Sequence, residues 1–316
     1  MSQSMPVSLE ETTQMTTTAP GPATTPTSGA TRPARSLSLG YLLVLSVLVA
    51  VAAVYGLVTD DAYRLVRPLT RATWRAQDAV TLVTLPLLVV TGRRAAAGSF
   101  RAHVTAVGIL TWLTYCYAHL AIGAPFNPMF MVYVALLAMA GFAMLDGLVR
   151  VDVRSVAPAF AAAPYRAASW FLAVAGVGIA GLWLSDIVPA TFGVAPRELG
   201  LAELPNPTWV LDLAWIIPLS FAAAWMTRRR DPAAPLVAGS LLVMLLILSA
   251  SMLMIAPFAL AAGLGSDPAV RAQLVVFSVV FSVLGGFEGW LLVTAERRMG
   301  RVGAWRTSGW WTTGKG

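Results

Sequence analysis

Charged residues are scarce: they make up 12% of the 316-residue chain, about half the share usual in a soluble domain. A chain so poor in charge does not cover a water-facing surface of that size, which excludes an ordinary soluble globule. Cysteine is almost missing. The single Cys116 rules out an intrachain disulfide and a cysteine-rich metal site, and inside an apolar run it reads as a small apolar filler. Histidine occurs only as His103 and His119, and lysine only as Lys315 against 21 arginines. With abundant Ala and Val, that arginine bias fits a GC-rich bacterial genome. Signature motifs are also missing. There is no GxxxxGKS or GxxxxGKT phosphate loop, no HExxH zinc pair and no GxSxG elbow. No catalytic residue is therefore assigned, an enzyme is disfavoured, and no metal or cofactor is expected.

What the chain does hold is hydrocarbon, with 57% hydrophobic residues and a mean hydropathy of +0.72. Its apolar runs are long and continuous rather than alternating, and roughly 20 such residues span a bilayer as a helix. The fold class read from this is all-α, a polytopic transmembrane bundle. The spans fall at 39–57, 76–92, 104–122, 129–148, 168–187, 208–226, 236–262 and 272–294. The second is the weakest, because its unbroken apolar core AVTLVTLPLLVV includes two Thr and a Pro. Seven crossings with a re-entrant second segment are the alternative. Residues 1–37 form a Thr/Pro-rich tail too poor in apolar groups to order itself. Residues 38–295 form the bundle and 296–316 a basic cytoplasmic tail.

Eight crossings place 16 Lys and Arg on one side and 6 on the other. By the positive-inside rule the first side is cytoplasmic, and the address is a bacterial inner membrane. The net charge of +7 is spread over short loops as topology signals, so nucleic acid is not an expected partner. The run Arg228, Arg229, Arg230 reads as a topology anchor, with anionic lipid contact as the sharper alternative.

Ionisable groups are costly in lipid, and usually face the bundle or a wet cavity. Gln77 and Asp78 open the second segment, with Thr81 and Thr84 continuing a polar stripe. Tyr115 and His119 share a face of the third. Asn127 lies in the turn GAPFNP, Asp186 near the end of the fifth span and Asp212 at the start of the sixth. All fall in the outer half of the eight-crossing arrangement, as an outward-facing polar pocket would require. The bland readings differ. Asp212 and Asp78 are first-turn residues stabilised by free N–H groups and the helix dipole, and the aromatics are interfacial anchors. On the last span, Gly285, Gly289, Ser278 and Ser282 make a small-residue stripe for helix packing. Glu288 within it is expected to pair with an arginine of the 93–101 loop.

The set WRAQD (74–78), YCYAHLAIGAPFNPMFMVYVAL (115–136), GLWLSDIVPA (181–190) and LPNPTWVLDLAWIIPL (204–219) resembles a family of uncharacterised bacterial multispanning integral membrane proteins. The likeness covers about residues 38 to 295. It implies an architecture and no activity, with Gln77, Asp78, Asn127, Asp186 and Asp212 matching the family's pattern. Relatives often carry a Lys in the seventh span, where this chain reads LLVMLLILSAS. The leading expectation is a membrane protein whose polar pocket binds or moves a small solute. A scaffold or sensor subunit is the rival, and a membrane enzyme acting on a lipid is a third. The lipid bilayer is the expected partner, and the oligomeric state is left open.

Overall fold

The computed structural model describes residues 39–149, 151–194 and 206–298. The expected tail 1–37 therefore lies outside the described residues, as does the expected tail 296–316 beyond Arg298. Eight helices are long and apolar enough to cross a membrane: α1 (Leu39–Val58), α2 (Pro68–Ala96), α3 (Phe100–Gly123), α4 (Phe130–Val149), α5 (Tyr165–Thr191), α6 (Pro207–Arg228), α7 (Ala234–Ala261) and α8 (Pro268–Arg298). No strand occurs among the described residues. The protein is an all-α bundle, and the second segment is a full-length helix rather than a re-entrant one.

That second segment reads short because its N-terminal half is polar. The helix begins at Pro68, whose ring suits the first helical position, and so takes in Arg71, Arg75, Gln77 and Asp78. Packing outweighs the low hydropathy, since Ala72, Trp74, Ala76, Gln77 and Asp78 are all buried. Arg71 donates from Nε to the Tyr63 carbonyl at 3.1 Å, and Arg75 pairs with Asp60 at 2.8 Å. Both arginines, expected in a loop, are helical residues that tie the preceding loop down.

The helices differ sharply in how much they bury. In α3, 83% of the hydrophobic window is buried, against 22% for α5 and 17% for α8. Helix α3 is thus the axis, packed on α2, α4 and α7, and its Trp112 and Tyr117 are among the largest fully buried side chains. Ser99 caps its start by accepting from the Ala102 N–H at 3.3 Å. Gly108 is obligatory in this packing, because a Cβ there would stand 2.7 Å from the Ser240 carbonyl oxygen of α7. Helix α8 packs mainly on α7 and offers a face of valines to the surroundings, among them Val276, Val279 and Val283. In lipid such a face needs no further cover.

Charge divides the two ends. Among the described residues, ten arginines (93, 94, 101, 154, 166, 228–230, 297, 298) lie at one end and five (64, 67, 71, 75, 271) at the other.

Candidate functional site

Most of the candidate pocket residues gather at the arginine-poor end. Counted along the helices from that end, His119 lies four residues in, Asp212 five, Trp183 and Tyr115 eight, and Asp78 ten. At 1.5 Å per residue these depths run from about 6 to about 15 Å. One band of the bundle holds them all.

Two carboxylates anchor the band. Asp212 on α6 accepts from the Tyr115 hydroxyl at 2.9 Å through one oxygen and from the Trp183 indole N–H at 2.7 Å through the other. Asp78 on α2 accepts from the Tyr63 hydroxyl at 2.8 Å. Rings link the two acids. Tyr63 meets Trp74 edge-on at 5.1 Å between centroids, Trp74 meets His119 at 5.6 Å, and His119 meets Tyr115 at 6.3 Å. Trp112 flanks this ladder, stacked 6.5 Å from Tyr115 and donating to Thr81 Oγ1 at 3.0 Å. Trp215 tilts against Tyr115 at 6.5 Å from the α6 side.

Local geometry explains why Asp212 reaches α3. Helix α6 starts at Pro207, and its cap is Asn206, whose side chain accepts from the Thr208 N–H at 3.0 Å. Asp212 is the sixth residue, and its own N–H already bonds to Thr208 and Trp209 carbonyls. The first-turn reading of Asp212 is therefore wrong: its carboxylate serves side chains, not the helix end. From Asp212 to Ile216 the helix widens to a π segment in which the Ile217 N–H bonds five residues back to the Asp212 carbonyl. Pro218 supplies the cause. It has no N–H and its ring crowds the carbonyl four residues earlier, and the wider turn relieves that crowding. Single π turns of this kind recur at functional sites.

Asp78 is likewise no helix-start residue, being the eleventh of α2. Its space is made by Gly56, where a Cβ would collide with the Asp78 carboxylate and with the Tyr63 ring. Tyr63 sits in the 3-10 turn Asp60–Tyr63 between α1 and α2. Burial, with the Asp78 charge adding, pushes its hydroxyl well above the usual phenol range, so it remains a donor to Asp78.

The other expected residues divide. Asn127 is a loop staple: its Oδ1 accepts from the Met129 N–H at 2.8 Å and its Nδ2 donates to Pro125 O at 3.1 Å and, at 3.5 Å, to Ala62 O. Asp186 is buried on α5 three residues after Trp183, hence on the same helix face. Gln77 is buried beside Asp78, and by helical spacing it shares a face with Thr81 rather than with the acid. Buried polar atoms at this end with no hydrogen-bond partner among the described residues include His119 Nδ1, Trp209 Nε1, Arg75 Nε and Ser251 Oγ, whereas the Tyr133 hydroxyl lies within the reach of Asn127 and Tyr63. Tyr133 stacks on Tyr117 at 6.2 Å. Sequence reasoning did not single out Tyr63, Trp74 and Trp183. The only signal for Trp183 was its spacing of three from Asp186, and nothing marked Tyr63.

No group of three or more His, Cys, Asp or Glu among the described residues is placed to hold a metal. His103, at the opposite end, is engaged with the Gly147 carbonyl at 2.9 Å. Glu288 departs from expectation. It accepts from Ser249 Oγ at 2.9 Å, while Arg101 donates to the Glu296 carbonyl at 2.8 Å, so the arginine of the 93–101 loop that reaches α8 serves its backbone. Of the small-residue stripe, Gly285 faces Ser249, where a Cβ would stand 3.2 Å away. A Cβ on Gly289 meets nothing, Ser278 is half-buried and Ser282 is exposed.

The fold and this cluster define a multi-pass membrane protein with two buried carboxylates joined by an aromatic ladder. Comparison with protein-family models, curated proteins and solved structures gives no match.

Proposed function

We propose that the protein binds or moves a small, positively charged solute at its arginine-poor end, which faces outward across a bacterial inner membrane. The orientation rests on the ten-to-five division of arginines between the ends. One observation carries the functional reading. Both oxygens of Asp212 are held by neutral donors, and the ion pairs among the described residues involve only Arg64, Arg75 and the loop acids Asp60 and Asp61. Asp212 thus has no countercharge among the described residues, and an uncompensated carboxylate is costly in a membrane interior. A cation, whether a protonated amine or a proton itself, supplies that charge. The surrounding rings Tyr115, Trp183 and Trp215 add faces on which an organic cation gains about 0.5–2 kcal/mol each. His119 Nδ1 and Trp209 Nε1, which have no hydrogen-bond partner among the described residues, support a polar occupant at the same end.

The test uses full-length protein in liposomes loaded with a pH-sensitive dye. Amines of graded size are added outside, and discharge of an imposed pH gradient is followed. Wild type discharges the gradient with at least one amine, and Asp212→Asn does so at least tenfold more slowly. Equal rates in the two proteins remove Asp212 from the function.

A second reading, a scaffold or sensor subunit, has its own support. Gly178 and Gly181 on α5 and Gly286 and Gly289 on α8 meet nothing where a side chain would be added, and such faces suit close approach by a helix of another chain. Crosslinking in native membranes that captures only lipid counts against it.

A further inference from the structure

The arginine-rich end carries a different feature. An apolar cavity of about 90 Å³ opens there between α3, α5, α7 and the end of α8, floored by Ala168, Ala238 and Leu242. Its walls are almost wholly apolar and give water few hydrogen-bond partners, so the space suits a few methylene groups better than water. One arginine lines its rim and a second lies beside a lining residue. Arg101 lines it, exposed and donating to the Glu296 carbonyl. Arg230 lies with its guanidinium 5.6 Å from the centroid of Tyr165, another lining residue.

Arg230 is there at a cost. It stands two residues past the end of α6 with φ of 54°, the one positive φ among the described non-glycine residues. Its N–H bonds to Thr227 O at 3.2 Å and the next N–H, of Asp231, to Met226 O at 2.9 Å. That is the helix-ending motif whose left-handed position is usually glycine. An arginine kept where glycine is the easy choice points to a use for its side chain. The acid at the rim, Glu296, is outnumbered, because Arg166, Arg228, Arg229 and Arg297 also lie at this end.

We propose that this cavity seats the glycerol-proximal part of one acyl chain of an anionic phospholipid, whose phosphate is held by Arg101 and Arg230. The hydrocarbon follows from the lining and the headgroup from the charge at the rim. The solute site lies at the other end, so this inference stands or falls separately from it.

Full-length protein is reconstituted in vesicles of equal phosphatidylglycerol and phosphatidylcholine, extracted in mild detergent and weighed by native mass spectrometry. Wild type retains phosphatidylglycerol in clear excess. A surface arginine contributes about a fivefold preference, so Arg230→Gly and Arg101→Gln each reduce the excess about fivefold. Arg230→Gly also relieves the left-handed strain and raises Tm in pure phosphatidylcholine, so its loss of lipid is not unfolding. Ala238→Phe fills the cavity and lowers retention with both arginines in place. Equal retention of the two lipids by wild type overturns the proposal, as does an unchanged excess in the double arginine variant or in Ala238→Phe.

Discussion

Asp212 shows how much one side chain depends on distant partners. Its donors come from α3, 97 positions earlier, and α5, 29 positions earlier, and hydrogen bonds to a charged group are worth about 1.5–3 kcal/mol each. Tyr115→Phe therefore lowers stability by about that amount in a thermal melt, and slows solute-driven discharge without abolishing it. Gly56 gives a sharper sign. Alanine ordinarily stabilises a helix interior by roughly 0.5–1 kcal/mol over glycine, but here the added methyl collides with Asp78 and Tyr63. Gly56→Ala is expected to lower stability by about 1–3 kcal/mol, the usual range for overpacking. Tyr63 adds a pH dependence. Its hydroxyl titrates above the free value of about 10, so its stabilising contribution is complete below that pH. The contribution fades only as pH climbs through the raised folded value. Ultraviolet titration of wild type against Tyr63→Phe shows one phenol ionising late in the native protein; a difference spectrum that develops at the ordinary pH refutes the buried Tyr63–Asp78 bond.

At the scale of the element, α6 is the instructive case. Its start was readable to within a residue from the span at 208–226, but its Asn206 cap was not read, nor was the π segment, because widening depends on how Pro218 and the neighbouring helices share the strain. Pro218→Ala restores an N–H and lets 212–216 close to an ordinary helix, which turns Asp212 away from Tyr115. Discharge should fall with little loss of Tm; full activity in that variant shows that the wide turn does not aim the carboxylate. Helix α2 teaches the complementary lesson. Hydropathy finds residues that lipid touches, whereas the polar half of α2 is covered by protein, so its true start at Pro68 was invisible to an apolar count. The acids themselves were legible, since an ionisable group in a span is conspicuous. Their neutral partners were not: tryptophans and tyrosines near an interface look alike whether they anchor in lipid or donate to a carboxylate. Glu288 misled for the same reason, because a serine on α7 answers it where an arginine was expected.

For the whole molecule, the bundle class followed directly from the apolar runs, while the weak second segment left seven crossings beside eight; the structure has eight and adds hierarchy, with a buried axis in α3 and peripheral helices in α5 and α8. Orientation is testable on this scale. With Cys116 replaced by serine, a cysteine at Ser266 should react with an impermeant maleimide from outside intact cells, and one at Arg229 only after permeabilisation. The reverse pattern inverts the site. Cys116 itself has a use that follows from its position. It is buried on α3 directly beside Tyr115, so the unmodified chain carries a native clock for motion. Successive helical residues point about 100° apart, so the thiol faces Thr81 and Asp78 of α2 rather than α6, and a cycle that parts α3 from α2 bares it for an instant. Its rate of alkylation then counts the openings, with no label introduced and no assumption about what enters.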